Sequence, residues 1–361
     1  MALLWMEGFE ARMHSTRQQT LYDAALSGIV TGVAGRKQGL CVFGSGGTWT
    51  PPAPLIGSVQ NTWVGQLALR KDDDADLTGD GAFISFSDSV GEQCSLVQVD
   101  SGDGDHNFKM EIRRGATVLG TSPSYQWSSN KRGWHVFQVK VLIDPTVGTF
   151  ELIHWDYLNN LTTPISGSGA NTANQGTAGA DRASFGFGSA GRTQRLDDVV
   201  IMDGTGSVNN DTTLLPINVH GADVTGDGTV QDWTASLGGG HSVEIDDDAF
   251  SASGTDKVTS AAALDIDMFS LSAFGLIAPT STPTILGVMP YIEGNMENSG
   301  TRTVRARVRN GVTEANGADD MVFSVTSRVS YHEIMETNPV TAVAWTLANL
   351  DDDEFGFQVT V

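Results

Sequence analysis

Residues 133–156 read GWHVFQVKVLIDPTVGTFELIHWD, and the fold turns on this run. Phe137, Val139, Val141 and Ile143 alternate with Val136, Gln138, Lys140 and Leu142. A period of two puts successive side chains on opposite faces of a strand. One face is wholly apolar and the other mixed, as in a strand covered fully on one side and partly on the other. Asp144-Pro145 with Gly148 supplies a turn, and FELIHWD returns as the partner strand. The stretch is predicted to be a hairpin in the middle of a sheet.

The pattern extends in both directions. Upstream, FKMEIRRG sets Phe108, Met110 and Ile112 against Lys109, Glu111 and Arg113, and FISFSDS (83–89) is strand-like. Downstream, SFGFG (184–188) and RLDDVVIMDGTGS (195–207) resume it. Between them, residues 161–182 are rich in Gly, Ala, Ser, Thr and Asn without an apolar period, and read as a long surface loop. A polar SVNNDT (207–212) then separates a first domain, 1–208, from a second, 209–361. In the second, Val304, Ala306 and Val308 oppose Arg305, Arg307 and Arg309. Phe355, Phe357, Val359 and Val361 share one face, so the last strand is expected to be tied into the core.

The bulk composition agrees. Of 361 residues, 40% are hydrophobic, enough for two cores. Gly is abundant at 42 against 11 Pro, and short apolar runs alternate with Gly/Asp/Asn/Ser clusters, the pattern of antiparallel all-β domains. The formal net charge of -22 argues against nucleic-acid binding by charge. Cys41 and Cys94 are too few for a disulfide framework or a cysteine metal site. The start, MALLWMEGFE, lacks the basic region and long apolar core of a signal peptide, and no apolar run reaches the roughly 18 residues of a membrane helix. A soluble product made in a reducing cytoplasm is expected.

Several acidic stretches invite a chemical reading. DVTGDGTVQDWT places Asp223, Thr225, Asp227 and Gly228 as in a calcium loop, but Thr234 stands where a bidentate carboxylate must close the cage. A Gly/Asp turn is the simpler account. KDDDADLTGDG concentrates Asp72, Asp74 and Asp76, the candidate ligands for a hard cation such as Ca2+. VEIDDDAF reads as a strand with Glu244, Asp246 and Asp248 on one side, yet Ala249 occupies the position where a glucanase pattern would need a second catalytic acid. The seven histidines include no H-x-x-x-H pair, and no G-x-S-x-G elbow, Walker loop or dinucleotide fingerprint is present. No catalytic residue is assigned. Trp127, Trp134 and Trp155 are the candidates for stacking on sugar rings, with core packing as the commoner fate of such residues.

Trp134, His135, Gly148, Thr149 and Asp156, with Asp197, Asp198, Asp203 and Gly206, resemble the central hairpin and closing strand of concanavalin A-like jelly rolls of the laminin-G and pentraxin group. Gly226-Asp227-Gly228, Trp233, Asp246, Asn338-Pro339, Trp345-Thr346 and Glu354-Phe355-Gly356 resemble the C-terminal half of structural proteins from tailed-phage morphogenesis clusters. Asp247 in place of an acidic-pair partner, and LLPINVHGAD at the domain junction, depart from that pattern. The resemblance implies an all-β chain, a concanavalin A-like jelly-roll sandwich followed by a second, smaller β-sandwich domain. It implies a non-enzymatic virion protein of a tailed bacteriophage, in the tail, baseplate or fibre or decorating the capsid. Such a protein would be assembled in the host cytoplasm, work through contacts with other virion proteins, and form a homo-oligomer. Arg305, Arg307 and Arg309 are its interface candidates. The alternative is an adhesin recognising a host surface glycan. From the residues themselves, Pro339 is expected to fix a turn, Trp345 to plug the sandwich end, and Gly356 to admit a close backbone.

Overall fold

The computed structural model describes residues 3–7, 29–34, 40–44, 48–49, 59–71, 80–102, 107–126, 133–156, 158, 160–174, 179–187, 194–206, 209, 216–245, 257–272, 283–297, 300–324 and 329–360. The chain divides into two compact units, Met1–Val219 and His220–Val361. The first extends past the polar 207–212 stretch because Ile217 exchanges hydrogen bonds with the Gln66 side chain and the Val219 N–H donates to Asp198 Oδ1. No described helix is long and apolar enough to cross a membrane.

The first unit is a jelly-roll sandwich of two antiparallel sheets. One sheet runs, in spatial order, Leu161–Ala170, Gly148–Trp155, His135–Leu142, Thr62–Lys71, Gln194–Asp203, Leu40–Gly44 and Ile29–Ala34, with Leu3–Glu7 also paired to Gln194–Asp203. The other runs Tyr125–Gln126, Asn107–Arg114, Glu92–Asp100, Gly81–Ser87, Arg182–Gly186 and Thr48–Trp49, with Thr117–Thr121 beside Asn107–Arg114. The 133–156 hairpin forms in the expected register, Val139 opposite Leu152 and Val141 opposite Phe150. Asp144 closes its turn by accepting the N–H groups of Thr146 and Val147 at 2.7 and 2.8 Å.

Phe137, Val139 and Val141 are at most 1% exposed and face the second sheet, where Ile84, Phe86, Leu96, Phe108, Met110 and Ile112 are equally buried. Trp63 and Phe86 meet across the gap at 5.5 Å between ring centroids, and Phe108 meets Phe137 at 6.0 Å. The mixed face is covered too: Val136 packs with Ala68, Ile153 and Trp155 in a second apolar cluster.

Residues 161–170 correct the surface-loop reading. They form a ten-residue edge strand on Gly148–Trp155. Backbone pairing needs no apolar run, and the inward positions are set by fit. Ile165 lies opposite Leu152, while a Cβ at Gly167 would stand 2.3 Å from the Phe150 ring. Past the strand, the Thr172 hydroxyl donates to the Leu142 carbonyl at 2.6 Å and accepts the Asp144 N–H at 2.9 Å, tying this segment to the hairpin turn.

The second unit is a smaller β-structure. Its main sheet runs Val224–Gln231, Ile266–Leu271, Glu354–Val359, Arg302–Asn310 and Thr313–Asn316, with Met321–Phe323 also on Arg302–Asn310. Val304, Ala306 and Val308 alternate into a core with Phe323, Met335, Trp345, Leu350 and Phe355. That core also takes in Ile292, Val329 and Tyr331 from the short ladder of Tyr291–Gly294 with Val329–His332. Trp345 plugs it as expected, donating Nε1–H to the Met335 carbonyl at 2.8 Å and stacking on Phe355. The Asn338-Pro339 turn is held by Asn338, which is fully buried and accepts the Val340 N–H at 2.8 Å. Two readings are corrected. The calcium-like segment is a strand, because Gly228 lies where its backbone meets that of Met268: a Cβ there would be 2.5 Å from the Met268 carbonyl. VEIDDDAF is not a strand at its start: Ser242–Glu244 is a single 3-10 turn, and Asp246 and Asp248 lie outside the described residues.

Gly356 sits still closer to its neighbour, since a Cβ there would come within 1.9 Å of the Asp267 carbonyl oxygen. Gly356→Ala is expected to destabilise the second unit by about 1–3 kcal/mol through forced strand separation. Chemical denaturation should show that loss with the first unit's transition unmoved; an unchanged second transition would contradict the close approach.

Candidate functional site

The candidate residues do not converge. Trp155 is 5% exposed within the Ala68, Val136 and Ile153 cluster, so it has no open face for a sugar ring; Trp134 is half-buried against the same cluster. Trp127 and the acidic trio Asp72, Asp74 and Asp76 lie outside the described residues. Among the described residues, no group of three or more His, Cys, Asp or Glu is placed to hold a metal ion.

The arginine stripe lies on one strand face, but its charge is engaged locally. Arg305 Nε pairs with Asp320 at 2.6 Å, Arg307 Nη2 with Glu314 at 2.6 Å, and Arg309 with Glu314 and, at 3.9 Å, Glu354. Burial alone would raise the Glu314 carboxyl; hydrogen bonds from Arg307 and Arg309 outweigh it and hold the group below the usual range.

The acids Glu244, Asp267, Glu333 and Asp353 of the second unit are buried and Asp227 is half-buried, and each holds a group of its own unit. Glu244 accepts the N–H groups of Ser236, Leu237 and Lys257. Asp227 accepts the Ser242 N–H, and Asp353 joins the side-chain amides of Asn310 and Asn338. Glu333 accepts from Ala318 and Asp319, and burial raises both its carboxyl and that of Asp353. Asp267 is 1% exposed and holds His241 Nδ1 at 2.7 and 2.9 Å. Burial pushes its pKa up to about 6 against the opposing pull of His241.

One buried arrangement escaped the motif search. His135 Nδ1 and His154 Nε2 lie 2.8 Å apart between the sheets of the first unit, their rings stacked at 5.1 Å. His154 Nδ1 is 2.8 Å from Thr162 Oγ1, whose hydroxyl in turn donates to the His154 carbonyl. That direction fixes the protons: His154 donates from Nδ1, so its Nε2 must accept from His135. Burial, then the neighbouring His135, lowers the His154 pKa to about 3, with Asp156 offsetting only part.

Beyond the buried Val136–Trp155 cluster, the outer face of the hairpin and edge strand is accessible at Lys140, Glu151 and Thr149. Lys140, Glu151 and Ser166 are cross-strand partners in one row, and Thr149 pairs with Ser168 in the next. With Phe150 and Gly167 they line a cleft of about 490 Å3. No ion pair or hydrogen bond to a described residue engages the side chain of Lys140 or Glu151.

No protein-family model matches the chain, and no curated protein matches it. Among solved structures it is similar to the CBM2 module of the evolved Dit of Lactobacillus casei BL23 phage J-1 (10% identity, TM-score 0.32, covering 55% of this chain and 94% of that one). It is similar also to a carbohydrate esterase of the Shiga toxin-encoding bacteriophage phi24B (10%, 0.37, 56% and 99%). A third is the catalytic domain of a glycoside hydrolase family 131 protein from Coprinopsis cinerea (11%, 0.36, 60% and 98%). At such identities and TM-scores the likeness carries no statement about activity, ligand or assembly.

Two buried groups, His154 in the first unit and Asp267 in the second, give pH responses of opposite sign. His154 has a depressed folded pKa, so its contribution is complete above its unfolded value near 6.5 and is lost as pH falls toward about 3. Acid titration of the first unit should therefore show a loss on the order of 3 kcal/mol between pH 6.5 and 4, flattened in His154→Phe. Asp267 has a raised folded pKa, so its contribution is complete below about 4 and is lost as pH rises through about 6. His332, whose burial lowers its pKa to about 4, contributes a rise over the same window, so Asp267→Asn should make the second unit's stability climb more steeply with pH than in wild type. Parallel slopes in wild type and variants, measured by urea unfolding across pH, would contradict both assignments.

Proposed function

We propose that the chain is a non-enzymatic structural protein of a tailed-phage virion, in the tail, baseplate or fibre or as a capsid decoration, acting as a homo-oligomer through contacts with other virion proteins. The observation that carries this reading is the use of the buried acids. Glu244, Asp267, Glu333 and Asp353 each hold a loop or a histidine of their own unit, the work of a scaffold. General acid–base hydrolysis asks instead for two carboxyl groups facing one bond. The sequence resemblance to morphogenesis-cluster proteins supports the same reading, and with it assembly in the host cytoplasm and residence on the particle. Calcium and other cofactors are not part of it.

A second reading, a glycan-binding adhesin, is favoured by one observation: the open polar cleft on the outer hairpin face. The two are compatible in a single tail protein.

Antibodies raised against the purified chain are expected to label intact particles of the encoding phage at a symmetric set of positions. Absence of label from particles, with the chain found only in infected-cell lysate, would sink the virion reading. Release of reducing ends from host polysaccharide by the purified chain would overturn the non-enzymatic one.

A further inference from the structure

The cleft on the first unit's outer face has a chemistry that selects among ligands. Lys140 and Glu151 stand directly opposite one another on neighbouring strands, and Glu151 stands opposite Ser166 on the next. Both charged side chains are half-buried, while Thr149, Ser166 and Ser168 are exposed. An ammonium offers donors alone, and a carboxylate accepts alone. A ligand bridging them must therefore accept at one atom and donate at its neighbour. Adjacent hydroxyls on a sugar ring do this, and the serine and threonine hydroxyls extend the same two-way bonding along the strands. The cleft, about 490 Å3, is shallow, open to solvent and as polar as it is apolar.

Charge narrows the class further. A chain of net charge -22 repels polyanions, and the cation in this cleft faces a carboxylate. From the juxtaposed Lys140–Glu151 pair and its flanking hydroxyls, we infer that the cleft binds a neutral saccharide through a vicinal diol, with Lys140 donating to one hydroxyl and Glu151 accepting from the next. The inference rests on the adhesin reading and gives it a location lined by neither Trp134 nor Trp155. The cleft presents no open aromatic ring, since Phe150 is 6% exposed. Single-site affinity is therefore weak, and useful binding comes from many copies acting together.

The test uses the full chain and a panel of neutral hexose and N-acetylhexosamine oligosaccharides, with uronate-containing and phosphorylated ones beside them, read by saturation-transfer NMR and titration. Binding of a neutral member is expected, weakened about tenfold in Lys140→Ala and in Glu151→Gln and unchanged in Trp134→Ala. Ser168→Trp, at an exposed position, fills the cleft and should abolish binding without altering either charge; thermal melts of each variant confirm the fold. Loss in Trp134→Ala alone would move the site elsewhere and leave the adhesin reading standing. Binding confined to the anionic members would overturn the neutral-diol chemistry. No binding by any member, in solution or to the immobilised chain at high density, would remove both the inference and the adhesin reading.

Discussion

The first unit depends on one desolvated layer between its two sheets. Phe137, Val139 and Val141 contribute one side and Phe86, Leu96, Phe108 and Met110 the other, all essentially without solvent contact. Each large side chain so buried stabilises the fold by about 1.5–3 kcal/mol, and the layer also fixes register. A slip of one residue in the hairpin would turn Gln138 and Lys140 inward and expose its apolar set. The fit is close enough to dictate composition. Gly65 is bare because Ile84 and Phe86 approach to 3.1 and 3.2 Å of where its Cβ would stand. The histidine pair belongs to this layer as well: His154 stacks on Phe137 at 4.6 Å, so the same packing that excludes water keeps the ring neutral.

What could be read from sequence follows from what each element is made of. The 133–156 hairpin, the 108–112 strand and the 304–308 strand announce themselves because their burial is carried by alternating side chains. Gly356 was legible for a related reason: a glycine within an otherwise regular strand marks a close approach, and the Asp267 carbonyl is what approaches. The Leu161–Ala170 strand was not legible, because its pairing lies in the backbone and its inward positions favour small residues over apolar ones. Gly226-Asp227-Gly228 misled in the opposite direction. Its composition is that of a turn, but Gly228 is bare because Met268 passes against it.

The sites were harder to read than the strands because they are made across the sheet. His135 and His154 are far apart in sequence, and no local motif joins them. The signal was there once the hairpin register was set: His135 falls on the Phe137 face, and His154 is the residue opposite Phe137. The Lys140–Glu151–Ser166 row has the same origin, with the added difficulty that its third member lies on the strand that sequence alone does not reveal. Of the tryptophans, the more visible sugar-binding candidates, Trp155 is buried in the second apolar cluster and Trp134 packs half-buried against it.

Charge is used differently inside the two units, and this bears on the structural reading. In the second unit, carboxylates are buried against backbone N–H groups and amides, and arginines are matched to acids of neighbouring strands and turns, so these charges order loops and sheet faces. Ion pairs at half-exposed positions add little stability of their own; removing one partner of a buried pair costs far more, because the other charge is left unsolvated. Loops tied in this way depend on pH, while the side chains of Lys140 and Glu151 have no such ties among the described residues. A scaffold whose internal charges are committed and whose outer polar groups are available is suited to repeated, individually weak contacts, the regime in which a symmetric assembly gains most from copy number.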